Sequence, residues 1–465
     1  MTAAGPTFTC SGCEYVVPKT ERYPFRCPKQ KTGDNIDHVL REELPAKDPT
    51  LVALFDSTEP NPFLKYRTLF HSYRAARSWG LSDADYIGIV QRLDEAVAKI
   101  DGRGFVETPF ASISKLGDAL GFKELWVKDE TGNVSGSHKA RHTMGIMIWM
   151  EMVRKAFPNG SNEPSLAISS CGNAALAAAV VAKAAGRTLD VFVPPDAHPN
   201  VVHRLQELGA RLVTCRREGN QPGDPCYLRF KEGIAKGSLP FTVQGNENGL
   251  TISGGKTLAY EMVSRWRSGR PVDRLFVHVG GGALASAIIQ GMEDAKAIGL
   301  IDRLPRIHTV QTEGAYPLAR AYQKVAERVA FRNLCAEKEV EKRSMFLSTD
   351  KSRQIVNEEL WFAANHRSTF MWPWESEPKS IAHGILDDET YDWHAVVGGM
   401  LRSGGYPVVV SEENLKEAHR LCHEHTKIRA DHTGTAGLAG ALKLRQDGVI
   451  LPNETVAVLF TGVER

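Results

Sequence analysis

The stretch Leu166–Ala185, LAISSCGNAALAAAVVAKAA, decides the fold. LAISS (166–170) is a short apolar run ending in small hydroxyl residues, Cys171-Gly172 interrupts it, and from Asn173 to Ala185 an alanine-rich segment of helical length follows. A buried strand that turns at once into a helix is the repeating unit of a parallel sheet covered by helices. Runs of the same make-up recur on both sides: DVFVP (190–194), ARLVTC (210–215), FTVQ (241–244), RLFVHVG (274–280), IHTVQT (307–312), PVVVS (407–411) and VAVLFTG (456–462). Helical stretches such as Val201 to Leu208 lie between them, so the chain reads as α/β with mostly parallel sheets. In such sheets ligands sit at the carboxyl ends of the strands, where loops lead into helices.

Composition bounds the answer without naming it. The 465 residues correspond to three domains or sub-domains at roughly 150 residues each. With 57 Lys+Arg against 55 Asp+Glu, a formal charge of +2 gives no basic field for duplex nucleic acid. An apolar fraction of 42% with 24% charged residues is globular usage, which excludes disordered and fibrous classes. There is no apolar run of about 18 residues to span a membrane, and Met1 to Pro18 lacks the apolar core of a secretory signal. The expectation is a cytoplasmic enzyme that binds neither nucleic acid nor membrane.

Four loops carry chemistry. In KDETGNVSGSHKARH (128–142), Val127 looks like a strand end and Ser137 like a helix N-cap, placing Lys139 in the first helical turn. The positive end of a helix is a poor place for a charged lysine, and a desolvated lysine of lowered pKa is what a Schiff base requires. Ser169-Ser170-Cys171-Gly172-Asn173-Ala174 precedes a helix whose first N–H groups suit an anion. Gly280-Gly281-Gly282-Ala283 lets backbone N–H groups converge on phosphate, although it is neither a Walker loop nor the dinucleotide fingerprint. Thr461 ends the last strand with a hydroxyl. Each loop taken singly is an ordinary object of α/β chains, and the solvated lysine or the tight turn is its commonest explanation.

The order of the four is distinctive. A lysine loop, a Ser/Asn loop, a glycine loop and a C-terminal hydroxyl on an alternating α/β chain resemble the fold-type II pyridoxal-phosphate enzymes, the tryptophan synthase β-like group. The resemblance covers about residues 105 to 465 and extends to Glu107-Thr108-Pro109, Leu116-Gly117 and Gly245-Asn246. It continues through KTLAYE (256–261), VQTEG (310–314), SIAHG (380–384) and TAGLAG (435–440). Within the group, KTLAYE, the cysteine-containing leader and a threonine near the C-terminus look most like threonine synthase and threonine dehydratase. The resemblance implies two three-layer α/β domains with twisted, mostly parallel sheets, preceded by an N-terminal extension (1–100). The large domain would comprise 101–161 and 246–465, with an irregular insertion at about 325–380, and a small mobile domain would comprise 162–245.

Carried over position by position, the resemblance implies pyridoxal 5'-phosphate as cofactor and Lys139 as the Schiff-base and catalytic residue. Asn173, Gly280, Gly281, Gly282, Ala283 and Thr461 would hold the cofactor. Ser170, Cys171, Gly172, Asn173, Ala174 and His138 would meet a small amino-acid substrate. The implied reaction is a lyase-type elimination or replacement at the β or γ carbon, with an ammonia-lyase or dehydratase giving a 2-oxo acid as alternative. A non-catalytic cofactor- or partner-binding protein is the reading from another class. A neutral hydroxyl at the ring nitrogen suits elimination over transamination, and the family's habit implies a homodimer. The family's lysine loop reads Gly-Ser-Phe-Lys-x-Arg-Gly; here His138 replaces Phe and His142 replaces Gly. With His432, these put three histidines at or near the cofactor.

The leader adds one motif. Cys10-x-x-Cys13 followed by Cys27-Pro28 resembles a zinc ribbon whose second knuckle is incomplete, since Gln30 stands where the fourth thiolate belongs. His38 would need a longer loop closure to substitute, so the expectation is a metal-free turn, with Cys10, Cys13 and Cys27 as candidate ligands.

Overall fold

In the computed structural model, residues 8–43, 48–158, 163–217, 224–267, 269 and 271–465 are described. Strands are β1 (Phe8–Cys10), β2 (Leu40–Glu42), β3 (Phe110–Ser112), β4 (Glu124–Asp129), β5 (Leu166–Ser169) and β6 (Leu189–Val193). They continue as β7 (Arg211–Thr214), β8 (Leu239–Pro240), β9 (Arg274–His278), β10 (Arg306–Thr312), β11 (Val408–Val410) and β12 (Thr455–Phe460). Three sheets result: a two-stranded β1-β2 ribbon, a six-stranded sheet ordered β11-β10-β9-β12-β4-β3, and a four-stranded sheet ordered β7-β6-β5-β8. Both larger sheets are parallel except for the β3–β4 edge pair. The central strands β9 and β12 are buried at every position, as a sheet covered on both faces requires.

Where strands end decides where chemistry sits. The parallel register sets β12 beside β9, with Val456 opposite Arg274 and Val458 opposite Phe276. On the other side of β12, Phe460 pairs with Asp129 of β4. The carboxyl ends of β4, β9 and β12 therefore open on one edge, and the lysine loop, the glycine loop and Thr461 leave from that edge together.

Three expectations are corrected. FTVQ (241–244) is not a strand; the small sheet is closed by β8 at Leu239–Pro240, where the backbone aligns with Leu166 and Ala167. The helix expected to be capped by Ser137 begins at Lys139, with His138 in the cap position and the Ser137 hydroxyl accepting the Lys139 N–H only at 3.4 Å. The segment 325–380 is mostly helical, in Pro317–Arg332, Val340–Leu347, Arg353–Ala364 and Arg367–Phe370, with Leu347, Val356, Leu360 and Phe370 buried. Its charged residues are the solvent faces of amphipathic helices. The N-terminal extension packs into the whole, since Phe8, Phe63, Tyr66, Phe70, Tyr86 and Val90 belong to the main core. The domain boundary expected at 161–162 touches residues outside those described.

Candidate active site

The helix Lys139–Ala156 is buried along most of its length and carries the site at its first turn. Lys139 keeps partial contact with water, as at the floor of a cleft, yet protein atoms crowd it enough that burial lowers its pKa. Asp387 and Asp392 oppose that shift through their charge. Burial in turn pushes Asp387 up to about 6, against the pull of Lys139 and a hydrogen bond from the Gly281 backbone. Burial likewise pushes Asp392 up to about 7, with the Gly245 backbone N–H and Lys139 pulling the other way. An amine and two carboxyls that all resist ionisation share one pocket.

Histidines form the opposite wall. His138 lies 5.9 Å from His142 and 6.2 Å from His278, ring centre to ring centre. Burial, and then the charge of Lys139, hold His142 and His278 down at about 3 and His138 well below its ordinary value. All three are therefore neutral at physiological pH. His142 Nδ1 donates to the Thr251 carbonyl at 2.7 Å, which leaves Nε2 as a bare acceptor. Among the described residues, neither ring nitrogen of His138 has a hydrogen-bond partner, nor have His278 Nδ1, Asn246 Oδ1 and Asp392 Oδ1. Buried polar atoms left unpaired cost about 1–3 kcal/mol each, so this group is built to meet something polar.

The glycine loop lies beneath segment 384–392. Thr390 donates its hydroxyl to the Gly280 carbonyl at 3.0 Å, and Asp392 N–H donates to Gly281 O at 3.0 Å. A Cβ at Gly280 would fall 2.3 Å from Asp387 Oδ2, and Gly282 has φ of +100°, so glycine is required at both. The Gly281 N–H meets the Asp387 carboxylate, so the loop presents amides to an anion. A second anion on that amide requires Asp387 to be protonated or to move.

Thr461 follows β12, and its Oγ1 lies 2.8 Å from His278 Nε2. Val463 N–H donates to the Gly136 carbonyl at 2.9 Å, which ties the chain end to the lysine loop. Asn173 opens the helix Asn173–Ala184 and accepts a hydrogen bond from Arg465, beside Gly462. The structure thus brings Lys139, His138, Asn173, Gly280, Gly281, Gly282 and Thr461 to one edge, with Ala283 starting the helix Ala283–Ala297 behind the loop. Ser170 and Gly172 line the neighbouring turn half-buried, where the Ser170 hydroxyl accepts the Gly172 N–H at 3.4 Å. Ala174 is buried and Cys171 is exposed to solvent.

Sequence reasoning missed three residues. His432 stacks on His419, with ring centres 3.9 Å apart, and the third histidine of the pocket is His278. The signal for His278 was present: it stands two residues before the glycine loop, directly after the apolar run Leu275–Val277. Asp387 and Asp392 lie in an acidic stretch, DDETYD (387–392), that looks like a solvated loop. Only the packing of that stretch on the glycine loop marks them.

An alternating α/β chain with a buried lysine, an anion-directed glycine loop and a strand-end hydroxyl defines a cofactor-binding enzyme of the fold-type II class. The chain belongs to the pyridoxal-phosphate dependent enzyme family, whose model matches residues 103–462. The family's cofactor is pyridoxal phosphate. It is 24% identical over 360 residues to threonine synthase of Methanocaldococcus jannaschii, covering 76% of this chain and 74% of that one. Among solved structures it is similar to the processed form of threonine deaminase isoform 2 from Solanum lycopersicum, with TM-score 0.54, 15% identity and coverage of 83% and 91%. Maize serine racemase matches with TM-score 0.55, 19% identity and coverage of 81% and 93%. At these identities the structural likenesses speak for the fold.

Proposed function

We propose that the protein eliminates or replaces a substituent at the β or γ carbon of a small amino acid, with Lys139 as cofactor anchor and proton carrier. The observation that carries this reading is the enclosure of the Lys139 amine with two carboxyls of raised pKa, Asp387 and Asp392. The unpaired buried atoms and the amides of the glycine loop fit a polar, anionic cofactor. Asn173, Gly280 to Ala283 and Thr461 would hold it. Pyridoxal 5'-phosphate, when bound, supplies the sink for electrons leaving the substrate Cα.

The chain's own groups move the protons. Burial shifts the Lys139 amine toward its neutral form, so it can take the Cα proton. Asp392, raised to about 7, carries a proton near neutral pH and can deliver it to a departing oxygen or nitrogen, and Asp387, raised to about 6, can do so in slightly acid solution. His138, His142 and His278 stay uncharged and add no competing cation beside Lys139. Thr461, bonded to His278, offers a neutral hydroxyl, which favours loss of a substituent over transamination. In this reading residues 162–245, which carry the small sheet, form the mobile unit that closes on substrate.

A panel of amino acids given to the cofactor-loaded protein tests the proposal. Release of inorganic phosphate with threonine from O-phosphohomoserine supports the threonine-synthase-like reading. Ammonia with a 2-oxo acid from a hydroxy- or diamino-acid supports the second reading, which the two proton-bearing carboxyls also favour. Racemisation with no released product would overturn both.

A further inference from the structure

We propose that Cys10, Cys13, Cys27 and His38 form a closed zinc site that pins the N-terminal segment to the floor of the lysine pocket. One ligand atom from each lies within 4.8 Å of all the others. Tetrahedral Zn²⁺, with Zn–S of about 2.3 Å and Zn–N of about 2.0 Å, sets its ligand atoms roughly 3.5–3.8 Å apart. Cys10 Sγ lies 3.4 Å from His38 Nδ1, and Cys13 Sγ lies 3.6 Å from Cys27 Sγ. The sulfur separation is far beyond the roughly 2.05 Å of a disulfide and close to a tetrahedral edge. His38 Nε2 faces the Asp34 carboxylate at 3.2 Å, off the hydrogen-bonding axis. That carboxylate biases Nε2 toward carrying the ring proton and leaves the Nδ1 lone pair toward the sulfurs.

The missing fourth ligand of the CxxC pattern is supplied by strand pairing. β1 and β2 are antiparallel with Cys10 opposite Leu40, which brings residue 38 beside the Cys10–Cys13 turn. Ser11 N–H donates to the Val39 carbonyl at 2.9 Å, and a Cβ on Gly12 would lie 2.6 Å from the Asp37 carbonyl oxygen. Glycine at position 12 therefore permits the approach that seats His38. Cys10, Cys27 and His38 are buried and Cys13 is half-buried, so all four positions are protein ligands and the site is structural. Binding Zn²⁺ displaces the three thiol protons to solvent, and the centre carries one net negative charge.

The consequence reaches the pocket through His38's neighbour. Asp37 accepts from Trp393 Nε1 at 3.2 Å and pairs with Arg367 at 3.4 Å, and Trp393 follows Asp392. On β2, Glu42 pairs with Lys256 at 3.2 Å and with Arg74 at 3.2 Å.

The test is the metal content of the full-length, cofactor-loaded protein after incubation with Zn²⁺ and dialysis. One zinc per chain is expected, falling to none in Cys10→Ser and His38→Ala and retained in His38→Cys, where a thiolate replaces the imidazole. Because the first two variants can fail to fold, the wild-type protein is also stripped with chelator and refilled with Co²⁺. Intense visible absorption of tetrahedral thiolate-bound cobalt and recovery of the lost thermal midpoint are expected. A wild-type protein without zinc, a Cys13–Cys27 disulfide by mass, or zinc lost on His423→Ala would each overturn the proposal. The last would place the metal on the second cluster, His419, His423 and Glu464.

Discussion

Arg141 and Lys139 stand two residues apart on one helix, and their surroundings are opposite. Arg141 has no solvent exposure, and each of its guanidinium nitrogens is used. Nε donates to Glu130 at 2.8 Å, Nη1 to Glu261 at 2.5 Å and Thr257 at 2.9 Å, and Nη2 to Glu130 at 2.9 Å. Lys128 closes the group on Glu261 at 2.5 Å, so two cations balance two anions. Burial alone would raise the pKa of Glu261, yet Arg141 and Lys128 hold it below its ordinary value. Around Lys139, burial dominates instead, and amine, carboxyls and imidazoles are all driven toward neutrality. Paired buried charges hold a fold in register, whereas unpaired ones wait for a ligand.

Removing either side chain measures that contrast. Lys139→Ala should lower turnover by about 10³-fold or more while leaving stability within about 1 kcal/mol, read by product assay and urea denaturation. Arg141→Ala should cost about 3–5 kcal/mol of stability, because Glu130 and Glu261 are left buried without their cation. Equal loss of stability in the two variants would erase the distinction. Asp387→Asn should reduce turnover by about 10²-fold with little change in the denaturation midpoint, since the amide keeps the shape and loses the proton.

A pH series sharpens the comparison further. Asp392 is raised from 3.8 to about 7, so the native state keeps a proton that the unfolded chain has lost in that window. Its contribution is fully present below pH 3.8 and is lost as pH rises through about 7. His142 and His278, lowered from 6.5 to about 3, act oppositely: their contribution is present above pH 6.5 and is lost as pH falls through about 3. Asp392→Asn, followed by urea denaturation at several pH values without cofactor, should shrink the falling limb, most of all between about pH 6 and 7 where Asp387 no longer contributes, and leave the histidine limb. The smallest effect is expected from His138→Phe, which should raise the stability of the cofactor-free protein by about 1 kcal/mol by deleting two unpaired nitrogens. The same variant should show altered relative rates across the amino-acid panel.

Much of the fold was legible because buried parallel strands cannot hide: β5, β6, β9, β10 and β12 are largely apolar runs, and all but the last of them lead into a helix. β8 escaped because two residues, one of them proline, leave no pattern, and the adjoining FTVQ looked more strand-like. That Lys139, Asn173, the glycine loop and Thr461 share one edge was legible from their order, since each follows a strand end.

Residue order along the chain determined the class of protein: alternating strands and helices, a lysine at a helix start, glycines where backbone must face an anion. These are local requirements, set by strand length, by helix ends and by the missing Cβ of glycine. Tertiary structure alone decided which distant groups share a pocket. Asp387 and Asp392 come from an acidic loop, His278 from the end of a strand, and His38 from across an antiparallel ribbon. Their ionisation and ligand potential depend on burial and on neighbours far away in sequence, and only the folded chain sets these.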